Sequence, residues 1–133
     1  MEIEFPQGLP GFEHERRFTL SQPSEFAPLV RLQSIASPAV SLWTAPVDAV
    51  DPDYALDLSE DDLHVLGFDP ARPPRPGLDI QCLVILCATE NGPLTANLLA
   101  PVVINLRNRR AVQSVRSDRR YSHQHPLSGE AAC

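Results

Sequence analysis

Lysine is absent from this 133-residue chain: every one of its eleven basic side chains is an arginine, set against seventeen acids. The formal charge is −6, and it is unevenly spread. Residues 1–106 hold five arginines and fifteen acids, a net −10; residues 107–133 hold six arginines and two acids, a net +4. An acidic body with a basic end argues against general nucleic-acid binding by the whole chain. Long apolar runs are also missing. The longest, CLVILCA at 82–88, is strand-sized and far short of the roughly 20 residues of a membrane-spanning helix. The opening MEIEF is acidic where a signal peptide is basic, so a cytoplasmic protein with no membrane association is expected. There are only three cysteines. Cys82 and Cys87 fall on opposite faces of one strand, so all three read as free thiols in a reducing compartment.

The motifs of common chemistries are missing as well. No glycine-rich phosphate loop, dinucleotide fingerprint or G-x-S-x-G elbow occurs. His123 and His125 could ligate a metal from one strand face, but no third ligand is obvious. His14 and His64 lie among acids and read as solvent-facing. The stretch DAVDPDYALDLSEDD reads as a solvated acidic face rather than a catalytic carboxylate pair. No motif here assigns a reaction, and no cofactor or bound metal is expected.

What is abundant is proline, with fourteen residues that punctuate the chain alongside six glycines. In FPQGLPGFE, Pro10 presets the first central position of a turn and Gly11 supplies the positive φ of the second. Leu9, Pro10, Gly11 and Phe12 are therefore expected to form a structural turn, with Leu9 and Phe12 anchored in the core. Short apolar runs follow. RFTLS at 17–21, PLVRLQSI at 28–35 and VSLWTA at 40–45 alternate as half-buried strands do. LDIQCLVILCATE at 78–90 turns apolar throughout, as a strand covered on both faces would. TANLLA and VVINL are split by Pro101, and RRAVQSVR at 109–116 alternates weakly. One helix is expected near 60–66, with Ser59 as its cap, acids in its first turn and Gly67 as its stop. FDPARPPRPG at 68–77 reads as an exposed loop. The fold class is therefore mostly all-β: a closed or nearly closed antiparallel β-barrel-like domain over 1–121, with a loose tail at 122–133.

Three blocks in order carry a resemblance. They are FPQGLPGFEHERRFTL at 5–20, LTANLLAPVVINLRNRRAVQSV at 94–115 and Y-x-x-x-HPL at 121–127, supported by PLVRLQSIASPAVSLWTAPV at 28–47. Together they resemble the flagellar assembly factor FliW family across nearly the whole chain. The resemblance implies a small cytoplasmic β-barrel-like protein without known enzymatic activity. It implies binding to the basic RNA-binding regulator CsrA, antagonism of that regulator's repression of flagellin translation, and binding to flagellin as the competing partner. Family members usually carry a longer lead-in with a first strand; here only MEIE precedes Phe5, so the expectation is that either the barrel lacks that strand or the chain is a shortened form.

The expected partner surface is the acidic segment 48–62, with Asp57, Asp61 and Asp62, together with Asn97, Pro101 and Asn105 around the turn after Asn97. Asn97 and Asn105 flank Pro101, and their amides are expected to satisfy backbone groups that the proline leaves open. Two other classes stay in view: a small-ligand-binding barrel or unrecognised hydrolase, and an RNA-binding module built on the arginines of 107–120.

Overall fold

The computed structural model describes residues 1–88, 92 and 94–127. Its strands are β1 (Glu2–Glu4), β2 (Arg17–Ser21), β3 (Val30–Ser34), β4 (Ser41–Pro46), β5 (Ile80–Cys87), β6 (Thr95–Ala96), β7 (Val102–Asn105), β8 (Ala111–Gln113) and β9 (His125–Pro126). Every pairing between them is antiparallel. β1 to β4 form a meander that continues onto β5. The long β5 then feeds two branches, one through β7 to β8 and one through β6 to β9. Two short helices, α1 (Val47–Val50) and α2 (Glu60–Leu66), lie in the connection between β4 and β5.

The alternation in the sequence explains the layering. Phe18 and Leu20 of β2, Val30 and Leu32 of β3, and Leu83 of β5 point to one side, where they bury with Ile3, Phe5 and Leu9. Phe5 and Phe18 meet edge to face at 5.4 Å. The other face of β5 packs Ile80 and Cys82 beneath Leu66 of α2, and Val84 against Ala45, Ala96 and Leu98. β5 is thus covered on both faces over Cys82–Val84, inside the run where its sequence is continuously apolar. Burial pushes the Cys82 thiol up to about 12, whereas Cys87 is exposed.

α2 forms as its sequence directs. The Ser59 hydroxyl accepts the Asp62 N–H at 3.0 Å, three acids fill the first turn, and Gly67 stops the helix at φ 89°. Leu63 and Leu66 are its buried face.

Several expectations are corrected. The sheet is not closed: β1 and the start of β8 meet at one isolated bridge, Glu4 to Arg110. A first strand is present, because Glu2–Glu4 pairs with β2 and buries Ile3. Part of the expected loose tail is held, since β9 pairs with β6 and Leu127 packs on the core beside it; residues 128–133 lie outside the described residues. The LPGF turn closes with the Phe12 N–H donating to the Leu9 carbonyl at 2.8 Å, yet it anchors on one side only. Leu9 is buried, whereas Phe12 is 40% exposed and does not plug the core.

Candidate functional site

Three separate stretches converge on Arg116. β8 ends at Gln113, and the chain continues past Ser114 along the rim of the turn after Asn97, the Arg116 N–H donating to the Leu99 carbonyl at 2.9 Å. The Arg116 side chain is 4% exposed. Its Nε and Nη2 fork onto the two Asp118 oxygens at 2.9 and 2.8 Å, and Nη1 donates to the Ala55 carbonyl. The guanidinium lies over the rings of Tyr121 at 4.9 Å and Tyr54 at 5.6 Å. The two tyrosines lie 4.4 Å apart and tie the same stretches together. The Tyr54 hydroxyl donates to Leu98 C=O at 2.7 Å, and the Tyr121 hydroxyl accepts the Ala55 N–H at 2.9 Å.

The electrostatics follow from this geometry. The Arg116 hydrogen bonds hold the Asp118 carboxyl below its ordinary value, and those to Asp118 raise the guanidinium further above its own. Burial raises the Tyr54 phenol. The cluster is therefore a charged clamp in which Arg116 and Asp118 hold one another in their ionised forms. Its effect is mechanical: it fixes the acidic segment 51–62 against the turn at 97–100.

The clamp decides where the expected surface residues sit. Asp57 and Asp61 are exposed, and among the described residues neither side chain has a hydrogen-bond or ion-pair partner. Asp62 is half-buried and occupied, accepting from the Ser114 hydroxyl at 2.6 Å. The Asn97 Oδ1 accepts the Leu99 and Ala100 N–H groups, both at 3.1 Å, just ahead of Pro101. Pro101 itself is buried, its carbonyl accepting the Ser114 N–H at 2.8 Å. Asn105 is buried and does something else: its Nδ2 donates to Leu66 C=O at 2.8 Å and its Oδ1 accepts the Arg107 N–H at 2.9 Å. It caps α2 rather than repairing the break at Pro101. The structure thus separates an exposed pair, Asp57 and Asp61, from residues that hold the scaffold beneath them.

Arg116, Tyr54 and Asp118 had no individual signal in the sequence. Arg116 belongs to an arginine-rich stretch whose other members, Arg107, Arg109, Arg110, Arg119 and Arg120, are exposed. Only the near adjacency of Asp118 hinted at a fork. Among the described residues, no group of three His, Cys, Asp or Glu could hold a metal ion. No described helix is long and apolar enough to cross a membrane.

Comparison with known proteins agrees with this architecture. The model of the FliW protein family matches residues 1–127. The chain belongs to the FliW family. It is 34% identical over 130 residues to the flagellar assembly factor FliW of Bacillus subtilis (strain 168), covering 97% of this chain and 87% of that protein. It is 37% identical over 130 residues to the FliW of Pseudothermotoga lettingae, covering 96% of this chain and 79% of that one. A crystal structure of the flagellar assembly factor FliW superposes with a TM-score of 0.83 at 32% identity, over 97% of this chain and 86% of that chain. The open antiparallel sheet with one longer helix is therefore a FliW fold.

Proposed function

We propose that this chain is a flagellar assembly factor that works in the cytoplasm by binding and antagonising CsrA, with flagellin as the competing partner. It thereby couples flagellin synthesis to flagellum assembly without catalysing a reaction. Membership of the FliW family over residues 1–127 carries this reading. The surface supports it. Asp53, Asp57, Glu60 and Asp61 are exposed along one segment that the Arg116 clamp holds in place. A fixed acidic surface suits a basic protein, because complementary charge speeds encounter and orients the partner. The ligand-barrel and hydrolase readings find little support, since Leu83 and Val103 fill the interior at 0% exposure.

The test is association of the purified chain with CsrA from its own host, followed by stopped-flow mixing. The double variant Asp57→Arg, Asp61→Arg is expected to bind roughly tenfold more slowly at low salt, with the difference shrinking as salt is added. Asp62 is left untouched because of its bond to Ser114. Flagellin is expected to displace CsrA. Undiminished association of the variant removes the acidic segment from the interface. A wild-type chain that binds neither protein overturns the proposal.

A further inference from the structure

The acidic body contains one basic concavity. The connection from α2 to β5 folds back on itself: the Arg72 N–H donates to Asp69 C=O, the Ala71 N–H to the Asp69 carboxylate at 3.0 Å, and the Gly77 N–H to Ile80 C=O at 2.9 Å. The proline-rich loop is therefore pinned at several points along its length. Opposite it stands the turn after β7, fixed by Asn105 and by Asn108, whose Nδ2 donates to Leu66 C=O at 2.9 Å. Between the loop and this turn runs a groove of about 730 Å³. Arg72, Arg75 and Arg107 line it, with Asp79 as the carboxylate among its lining residues. Asp79 is committed to Arg75, accepting its backbone N–H at 2.8 Å and its Nε at 3.3 Å. Among the described residues, Arg72 and Arg107 have no carboxylate within ion-pair distance. The rest of the lining includes Phe68, Leu78 and Leu106; the two leucines are 60% and 38% exposed.

This combination selects its occupant. Guanidinium forks pair with carboxylates in two-point geometry, and every cation here is an arginine. Exposed leucines reward apolar side chains between those carboxylates. A long polyanion such as RNA is disfavoured, because the molecule is −6 overall and Phe68 is the one aromatic among the lining residues on which a base could stack. We propose that the Arg72–Arg75–Arg107 groove docks a short acidic, leucine-bearing segment of a partner polypeptide. It is a second docking surface, opposite in charge to the Asp57–Asp61 face. The two surfaces lie at opposite ends of α2, whose first turn carries Glu60 and Asp61 and whose C-terminal stop, Gly67, borders the groove.

The test uses fluorescence anisotropy of a fluorescein-labelled synthetic peptide with leucines spaced among glutamates. Two control peptides replace its glutamates by lysine or its leucines by serine. The wild-type chain is expected to bind the acidic leucine peptide, the lysine peptide not at all, and the serine peptide more weakly. The double variant Arg72→Glu, Arg107→Glu is expected to lose roughly tenfold or more in affinity. Both side chains are exposed, and circular dichroism checks that the variant folds. The variant Asp57→Arg, Asp61→Arg is expected to keep peptide binding, so failure of the groove and failure of the acidic face read out separately. Absence of peptide binding, or equal binding by the arginine variant, overturns the proposal. So does displacement of the peptide by inorganic phosphate or single-stranded RNA at comparable concentration, which marks a general anion site.

Discussion

Gly8 and Gly11 occupy the same short stretch and both have positive φ, at 72° and 87°, yet they are not equivalent. A Cβ at Gly11 would meet nothing within 4 Å. A Cβ at Gly8 would lie 2.7 Å from the Glu13 carbonyl oxygen and 2.8 Å from its Cα. Gly11→Ala therefore carries only the left-handed backbone penalty, about 1 kcal/mol. Gly8→Ala adds a backbone collision that no side-chain rotation relieves, and it is expected to cost about 2 kcal/mol more. Urea unfolding of the two variants checks the difference; equal losses would mean that the loop shifts freely. The LPGF turn was legible because proline and glycine dictate backbone angles directly. The exposure of Phe12 was not, because an apolar letter states a preference for burial and not which flank of a turn meets the core. Gly8 escaped notice for a similar reason: its requirement is a close backbone approach five positions on, visible only when the Glu13 backbone folds back over it.

Among the elements, those with enough length to show a period were readable. β2 and β3 alternate, β5 is apolar on both faces, and α2 is bracketed by Ser59 and Gly67, whereas β4 buries the neighbours Thr44 and Ala45 together. β1, β9 and α1 span two to four residues and have no period; they exist because β2, β6 and the end of β4 offer them partners. The same limit hid the role of Asn105, which acts on an element 39 positions away. The Leu66 carbonyl is one of the groups that a helix end leaves without an internal partner, and here the Asn105 and Asn108 amides both reach it. Asn105→Ala is expected to destabilise the fold by about 2 kcal/mol, since the Arg107 N–H also loses its acceptor. Asn105→Asp is expected to be worse, because a carboxylate oxygen would then face a carbonyl oxygen in a buried site. Chemical denaturation of both variants checks the order, and a harmless Asn105→Asp would show that the contact does not hold the end of α2 in place.

Across the whole molecule the charge is more organised than its total suggests. Acids dominate the surface, yet four carboxylates are held in their ionised form by specific donors. Backbone N–H groups do this first for Glu13 and Asp79, the Ser34 hydroxyl for Glu15, and the Arg116 fork for Asp118. Each titrates below its ordinary value, so in the folded state each binds its proton more reluctantly than in the unfolded chain. The sign follows. Their stabilising contribution is complete above the ordinary carboxylate range near pH 4 and is lost as the pH falls through the depressed folded values. The urea midpoint is accordingly expected to change little from pH 7 to about pH 5 and then to fall modestly towards about pH 3, since solvent screens all four groups. Asp118→Asn removes one such group without removing the side chain's bulk. It is expected to lower the midpoint at neutral pH and flatten the acid limb, because its contribution is already absent. Relief of repulsion among the unpaired acids of 51–61 acts in the opposite direction, but exposed charges facing water interact weakly. A midpoint that rises on acidification would reverse that ranking and make self-repulsion, not the four anchored carboxylates, the dominant electrostatic term of this fold.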